Sequence, residues 1–499
     1  MYYKSTRNST LNLQSAQAIT TGISPEGGLF VPESLPMLTK SDIESLVNLS
    51  YADRAKYVFS LFLTDFSREE ITHCVDSAYN DDSFDSDSIA QIARISDDTY
   101  MLELWHGPTC AFKDMALQIL PYLMTASAEK CGDNKRICIL VATSGDTGKA
   151  ALEGFKDVDG TSILVFYPED GVSDIQKRQM TTQEGENVGV CAIKGNFDDA
   201  QSGVKAIFAD SELAKRLFDK NVMLSSANSI NWGRLAPQII YYISTYAELI
   251  AQGEITMGEQ INFAVPTGNF GNILAAYYAK KMGLPIAKLI CASNANNILT
   301  DFITTGIYDR NRSFHTTISP SMDILISSNL ERLLYDLCGN DDAQIRSWFE
   351  SLSNSGQYEV SQSVKDGLKE HFVAGYCSDN DTKSTIKNIF DKYGYLCDTH
   401  TAVAVKVYED YKQATGDKTK TVVVSTASPY KFAPSVLEAL KGKSDNSADE
   451  FELLERLESA SLTQAPIQLK GLKGREVRFS TTIDKNEMKA HIEKAIDNI

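Results

Sequence analysis

The chain has 499 residues, 43% of them hydrophobic, which exceeds the size at which a single core keeps growing, so we expect two or three domains. Its 48 basic and 66 acidic side chains give a formal net charge of −18 at pH 7. This charge repels nucleic-acid backbones and anionic membranes, so we expect no nucleic-acid and no membrane partner, and a small-molecule substrate is favoured.

Cysteine and histidine usage indicates a cytoplasmic protein without a metal site. The nine cysteines are never spaced as Cys-x-x-Cys, which is typical of reduced thiols. The six histidines form no His-Glu-x-x-His or other close pair, so we expect no metal. The first residues lack the apolar core of a signal peptide, and no apolar run of about eighteen residues occurs.

Residues 1–95 are predicted to form an N-terminal helical accessory domain. Helical periodicity is evident at 41–47 and 57–63, and the run Ser-Pro-Glu-Gly-Gly at 24–28 predicts a turn.

From Tyr100 onward, short β-branched runs alternate with helical patterns. The predicted strands include 137–141, 162–166, 262–265 and 421–425. This βαβ signature indicates an α/β core with a buried, mostly parallel sheet, which we place at residues 96–440. The charged stretch 441–450 indicates an exposed linker that opens a C-terminal extension, residues 441–499.

Lys113 is the strongest catalytic candidate. A lysine near a helix start is ordinarily a solvated surface residue. This one lies between Phe112 and Met115, beside the carboxyl end of a predicted strand, where open α/β sheets bind ligands. Burial near a helix N-terminus lowers the pKa of a lysine and supplies the neutral amine that a Schiff base needs.

Two loops between a strand and a helix are suited to binding anions. Residues 144–148, Ser-Gly-Asp-Thr-Gly, offer amides and hydroxyls for a carboxylate, and they lack the first glycine and the final serine or threonine of a nucleotide-binding P-loop. Residues 268–272, Gly-Asn-Phe-Gly-Asn, let backbone N–H groups converge on a phosphate. Such a turn can also merely connect a strand to a helix.

Two further segments are unusually polar. Residues 228–234 combine amides, a hydroxyl and the Arg234 guanidinium, which suits a substrate phosphate, although a capped helix start would look similar. Residues 425–432 follow the last strong strand, and a hydroxyl there can bond a pyridine nitrogen, although Ser and Thr are also ordinary at strand ends.

Taken together, these segments resemble the threonine synthase family, whose members are pyridoxal phosphate (PLP) enzymes of fold type II. The resemblance runs through residues 24–33, 106–118, 144–148, 228–238, 268–272, 320–323 and 425–432. It implies an α/β fold with two open, mostly parallel sheets flanked by helices, a smaller subdomain at about 130–225, and pyridoxal 5'-phosphate as cofactor.

The resemblance also implies a role for each matching residue. Lys113 would bind the cofactor covalently and act as the catalytic base, and Thr426 would face the pyridine nitrogen. The cofactor-binding set would be Lys113, Gly268, Asn269, Phe270, Asn272, Thr426 and Asp146. The substrate-binding set would be Ser144, Thr147, Asn228, Ser229 and Arg234. Lys431 and Lys149 are weaker candidates for a positive pocket, Ser428 stands where many relatives have histidine, and packing or capping is the expected role of His400.

The implied reaction converts O-phospho-L-homoserine and water to L-threonine and phosphate, the last step of threonine biosynthesis, by a monomer or homodimer. Two alternatives stay open. A serine or threonine dehydratase, or a cysteine synthase, would keep the lysine and the phosphate loop without a second phosphate site. A non-catalytic ligand-binding α/β protein would not require Lys113. Residues 228–234 favour the phosphate-releasing enzyme.

Overall fold

The computed structural model describes residues 1–86, 88–143, 145–170, 172–442, 449–497 and 499. Its strands are β1 (Tyr3–Ser5), β2 (Asn8–Leu13), β3 (Phe30–Pro32), β4 (Gln91–Arg94), β5 (Thr99–Glu103), β6 (Arg136–Ala142), β7 (Thr161–Pro168), β8 (Val188–Lys194), β9 (Val222–Ser225), β10 (Ile261–Pro266), β11 (Ile286–Ser293), β12 (Ile307–Asp309), β13 (Gln357–Glu359), β14 (Phe372–Tyr376), β15 (Thr421–Ser425) and β16 (Thr482–Asp484). Its α-helices are α1 (Ser15–Thr21), α2 (Lys40–Leu46), α3 (Tyr51–Phe62), α4 (Arg68–Ala78), α5 (Asp114–Leu117), α6 (Leu120–Lys130), α7 (Asp146–Phe155), α8 (Asp174–Thr181), α9 (Phe197–Phe208), α10 (Ser211–Asp219), α11 (Trp232–Ala251), α12 (Gly271–Lys281), α13 (Ile298–Thr305), α14 (Leu330–Leu337), α15 (Asp342–Ser355), α16 (Gln362–His371), α17 (Asp379–Tyr393), α18 (Thr399–Thr415), α19 (Ala433–Lys441), α20 (Glu450–Ser461), α21 (Ile467–Lys470) and α22 (Met488–Ala495). Short 3-10 helices cover Pro320–Met322, Pro429–Phe432, Gly471–Gly474 and Lys485–Glu487.

The larger sheet has six strands in the order β14-β11-β10-β15-β5-β4. Every neighbouring pair is parallel except β4 and β5. All residues of β10 and β15 are buried, because helices cover both faces of the sheet, and such strands are continuous apolar runs rather than alternating ones.

The smaller sheet has five parallel strands in the order β16-β8-β7-β6-β9. Its edge strand β16 comes from the C-terminal segment, and α22 follows it and contributes Met488 and Ile492 to the hydrophobic cluster that also contains Cys138 and Leu140 of β6. Two open, mostly parallel sheets flanked by helices confirm the expected fold class. The domain boundaries stay predictions, and residues 443–448 of the expected linker lie outside the described residues.

The N-terminal segment contains the expected helices and also an antiparallel sheet, β2-β1-β3, that the sequence reading did not anticipate. Two arginines dock this segment on the core. Arg7 forms an ion pair with buried Glu331 of α14 at 2.8 Å. Arg54 is 3% exposed and donates to the Ser244 hydroxyl of α11 at 2.9 Å.

The parallel arrangement brings the predicted loops together. In the larger sheet, residues 267–270 follow β10, Thr426 follows β15 and the loop that leads to Lys113 follows β5, whereas in the smaller sheet Thr143 and Gly145 follow β6. The carboxyl ends of parallel strands meet at one edge of each sheet, and residues of these loops from both sheets line one cavity.

No helix in the described part of the chain is both long and apolar enough to cross a membrane.

Candidate active site

A cavity of about 430 Å³ opens at the convergence of these loops. It is lined by every predicted site residue that the structure describes: Lys113, Asp146, Thr147, Asn228, Ser229, Arg234, Gly268, Asn269, Phe270, Asn272 and Thr426. Ser144 lies outside the described residues. The structure therefore brings the predicted residues to one place, and their individual roles stay predictions.

Lys113 precedes α5 and has a side chain that is 12% exposed. Its Nζ lies 3.4 Å from Asp146 Oδ2 and donates to Ser321 Oγ at 3.2 Å. Burial lowers the pKa of Lys113, and the cations Lys431 and Arg234 lower it further, whereas Asp146 opposes them. The amine is therefore neutral at a lower pH than an ordinary lysine.

Asp146 begins α7 directly after Gly145, whose φ of 150° is a conformation that other residues rarely adopt. Its Oδ1 lies 2.7 Å from Lys431 Nζ and accepts from Gln176 Nε2 at 3.0 Å. Burial works against ionisation of Asp146, but Lys431 and Lys113 outweigh it and hold the pKa of this carboxyl well below its usual range. Asp146 is therefore a carboxylate.

Neither Lys431 nor Lys149 lines the cavity, so neither forms the positive lining that the sequence suggested. Lys431 lies behind Asp146 with a side chain that is 0% exposed. Lys149 is paired with Glu153 one turn along α7, at 2.7 Å. Among the predicted site residues, Lys113 and Arg234 are the ones that bring a basic side chain to the cavity wall.

The loop after β10 has the geometry of an anion cradle. Phe270 adopts a left-handed φ of 61° and α12 begins at the next residue, so the first backbone N–H groups of α12 face the loop. Gly268 leaves no room for a side chain, since a Cβ there would lie 2.7 Å from the Ser321 carbonyl oxygen. Asn272 Oδ1 accepts from the hydroxyls of Tyr241 and Tyr242 at 2.5 and 2.6 Å.

The Asn272 amide is thereby fixed in orientation, with Nδ2 on the other side. Within the described residues this buried Nδ2 has no hydrogen-bond partner. An unpaired buried donor is costly, and Asn272 is one of the residues that line the cavity.

A clamp that the sequence did not reveal holds this cradle. The backbone N and Nδ2 of Asn329 both donate to the Asn269 carbonyl oxygen at 3.1 Å. The fully buried Arg332 donates to Asn329 Oδ1 at 2.6 Å, to the Ile230 carbonyl at 2.6 Å and to the Phe30 carbonyl at 2.9 Å. One guanidinium thus joins the cradle, the 228–234 loop and the N-terminal sheet.

The second polar region of the wall is the start of α11. Asn231 caps this helix and accepts from the Gly233 N–H at 2.8 Å. Arg234 is 4% exposed, and one of its terminal nitrogens donates to the Ala227 carbonyl at 2.8 Å. Burial lowers the pKa of Arg234 to about 10, so it remains a cation at neutral pH. Its Nε is a buried donor with no partner in the described chain.

Ser321 and His400 are wall residues that the sequence reading did not place in the site. His400 Nε2 accepts from the Ser321 backbone N–H at 3.2 Å, and its Nδ1 lies 2.8 Å from Asp398 Oδ1. This pattern suits a neutral imidazole with the proton on Nδ1. His400 is also packed against Phe432, at 4.8 Å between ring centroids, as a packed histidine would be. The motif at 320–323 and the segment around His400 were the sequence signals that could have pointed to these two residues.

Thr426 and Ser428 lie beyond β15. The Thr426 carbonyl accepts from the Phe112 N–H at 2.8 Å, which places Thr426 beside the Lys113 loop. Ser428 is fully buried and caps the 3-10 helix Pro429–Phe432 by accepting from the Tyr430 N–H. Its role in this chain is to cap that helix.

Among the described residues, no group of three or more His, Cys, Asp or Glu side chains is placed to hold a metal ion.

Three family models match the chain. "Threonine synthase N terminus" matches residues 2–79, "Pyridoxal-phosphate dependent enzyme" matches 91–427, and "Threonine synthase, C-terminal" matches 401–493. The second match alone covers more than half of the sequence, and the three confirm the resemblance inferred from the motifs.

Individual proteins agree with these models. Threonine synthase-like 1 of Macaca fascicularis is 40% identical over 97% of this chain, which spans 66% of that relative's length. Threonine synthase of Pseudomonas aeruginosa is 38% identical over 91% of this chain and 95% of its own. The crystal structure of PLP-bound threonine synthase from Brucella melitensis superposes with a TM-score of 0.88 at 36% identity, over 99% of both chains.

Proposed function

The chain belongs to the threonine synthase family of pyridoxal-phosphate-dependent enzymes, and from that premise we propose that it converts O-phospho-L-homoserine and water to L-threonine and phosphate. The observation that carries this proposal is that two regions suited to anions, the loop at 268–272 and the cationic start of α11, line the same cavity. A dehydratase or cysteine synthase would need the first wall alone.

The cavity fits pyridoxal phosphate. The α12 N-terminus and the unpaired Asn272 Nδ2 suit its phosphate, and Lys113 supplies the amine that binds its aldehyde. Thr426 is proposed to face the ring nitrogen and Asp146 the phenolic oxygen. When bound, the cofactor supplies an aldehyde that condenses with amines and a conjugated ring that delocalises the electrons left by a departing proton.

The second wall is proposed to bind the substrate phosphate. Arg234 is buried and charged, and its Nε lacks a partner among the described residues, so a phosphate oxygen would satisfy it. Asn228, Ser229 and Thr147 line the same wall and add neutral donors. Residues 144–148 are proposed to hold the substrate carboxylate. Of these residues, Ser144 lies outside the described part of the chain.

Lys113 is the proposed base. Its lowered pKa favours the neutral amine, which can remove a proton at the substrate Cα and return it there at the end of the reaction. Ser321 Oγ lies within hydrogen-bond distance of the same nitrogen and can orient it. Release of phosphate from the γ-carbon then requires loss of a proton at Cβ. A proton is gained at Cγ, which becomes the methyl group of threonine, and water adds its hydroxyl at Cβ.

The test uses purified full-length chain supplied with PLP. We expect phosphate and L-threonine in equal amounts from O-phospho-L-homoserine, measured by phosphate assay and amino-acid chromatography, and no ammonia from L-serine. Lys113→Ala should abolish both products and the visible absorption of the bound cofactor, since it removes the amine.

Arg234→Gln tests the second wall independently of the first. It should leave cofactor absorption intact and raise KM for phosphohomoserine, because a charge-assisted contact is lost. Phosphate release without threonine would refute the proposed product, and ammonia from serine would favour the dehydratase.

A further inference from the structure

Lys431 is a buried lysine that lies behind the cavity wall without reaching the cavity. It belongs to the 3-10 helix Pro429–Phe432 and its side chain is 0% exposed. Its Nζ lies 2.7 Å from Asp146 Oδ1 and donates to the Thr109 carbonyl at 2.9 Å. A buried ammonium is costly unless it is well paired, so this side chain needs a physical explanation.

Asp146 stands between Lys431 and Lys113. Its Oδ1 faces Lys431 and Gln176, whereas its Oδ2 lies 3.4 Å from both Lys113 Nζ and Ser321 Oγ. Lys431, Asp146 and Lys113 therefore form a row of cation, carboxylate and amine. If a neutral residue replaces Lys431, Lys113 is the remaining cation within 4.0 Å of this carboxylate among the described residues.

The surrounding charges show how the row affects Lys113. Burial lowers the pKa of the Lys113 amine, Asp146 raises it, and Lys431 and Arg234 lower it. Burial raises the pKa of Asp114, near Lys431, to about 6, and Thr109 bonds that carboxyl. The other titratable groups around this row include Cys110, Asp85, Lys149, Glu153, Asp323 and His400.

We infer that Lys431 is a positioning residue, which holds the Asp146 carboxylate at the floor of the cavity and thereby leaves the Lys113 amine free to react. The inference rests on the proposed function, because that function makes Lys113 the reactive amine. It concerns the protonation state of the Lys113 amine, however, and can be tested without measuring catalysis.

The test measures the reactivity of Lys113 in the full-length chain before cofactor is added. Reductive methylation by formaldehyde and a borohydride is followed at the Lys113 peptide by mass spectrometry as a function of pH. With Lys431→Met, Asp146 pairs with Lys113 instead and the amine stays protonated to a higher pH. If the pH profile of Lys113 labelling moves up by one pH unit, labelling at neutral pH slows by about ten-fold.

Lys149→Met is the matched control. Lys149 is also a buried lysine and is paired with Glu153 at 2.7 Å, one turn from Asp146, yet it does not line the cavity. Its removal should leave the Lys113 profile unchanged, because it does not engage Asp146.

A double variant guards against a simple folding defect. Lys431→Met should lower the urea midpoint, because a buried carboxylate loses a partner. Lys431→Met/Asp146→Asn removes both charges and should restore the midpoint and return Lys113 labelling toward the wild-type rate.

An unchanged Lys113 profile in folded Lys431→Met overturns the inference, as does an equal shift in Lys149→Met. A double variant that stays slow or fails to fold also overturns it, since the role of Lys431 would then not run through Asp146. Absence of threonine formation in the wild-type protein would overturn the proposed function and leave the labelling result standing.

Discussion

Arg332 links three segments that the sequence separates widely, and its replacement by lysine should weaken both stability and cofactor binding. Its three bonds reach Phe30, Ile230 and Asn329 at 2.9, 2.6 and 2.6 Å. Lysine keeps the charge but not the planar fork, so two of these bonds are lost. At about 1.5 to 3 kcal/mol for each charged hydrogen bond, the free energy of unfolding should fall by roughly 3 to 6 kcal/mol.

The effect on the cofactor follows from the contact of Arg332 with Asn329. Asn329 donates twice to the Asn269 carbonyl, so a loosened Asn329 lets the cradle move. We expect the Kd for PLP to rise by about ten-fold or more, since a small displacement of preorganised donors is enough to lose one bond. Urea unfolding gives the stability, and titration of cofactor absorbance gives the affinity.

Arg54→Lys is the control for general destabilisation. Arg54 is also buried and donates to Leu46, Val47 and Ser244 at 2.8 to 2.9 Å, but none of these residues lines the cavity. It should lose comparable stability and keep its PLP affinity. Equal PLP affinities in the two variants, or a loss below about 1 kcal/mol in Arg332→Lys, would contradict the reasoning.

Two further outcomes are expected. Burial disfavours the charged form of His106, but Asp85 and Glu103, at 2.8 and 2.9 Å, outweigh it and raise its pKa to about 9. Its stabilising contribution is therefore complete below an unfolded pKa of about 6.5 and disappears as pH rises through about 9, and His106→Gln should remove this decline from urea midpoints measured across that range. Asn272→Asp replaces the unpaired donor by a negative charge and should raise the Kd for PLP by about ten-fold or more, while binding of pyridoxal, which lacks the phosphate, stays unchanged.

The sequence predicted the elements whose patterns are local. The four strands of the core that it placed at 137–141, 162–166, 262–265 and 421–425 correspond to β6, β7, β10 and β15, because each is a continuous apolar run bounded by turns. The three-stranded N-terminal sheet escaped notice, since β1 and β3 have only three residues each. Three residues are too few to show the two-residue period of a β-strand.

The candidate site was predictable where a motif follows a strand. Lys113 and the 268–272 loop met that condition, and both line the cavity. Ser321, His400 and Arg332 could not be predicted in this way, because each contacts a partner far along the chain. Lys113 and Ser321, for example, are 208 positions apart. Lys431 was expected, as a weaker candidate, to contribute to a positive pocket, because the sequence shows its charge but not the carboxylate that pairs with it.

The edge of the small sheet has a consequence for how the chain is made. Strand β8 is synthesised well before β16, which later pairs along it. Until residues 482–484 emerge, the outer N–H and C=O groups of β8 lack their strand partner, and an open edge of this kind pairs readily with other chains. The nascent protein is therefore prone to associate during this interval, which ends when the three-residue strand β16 covers the edge of β8.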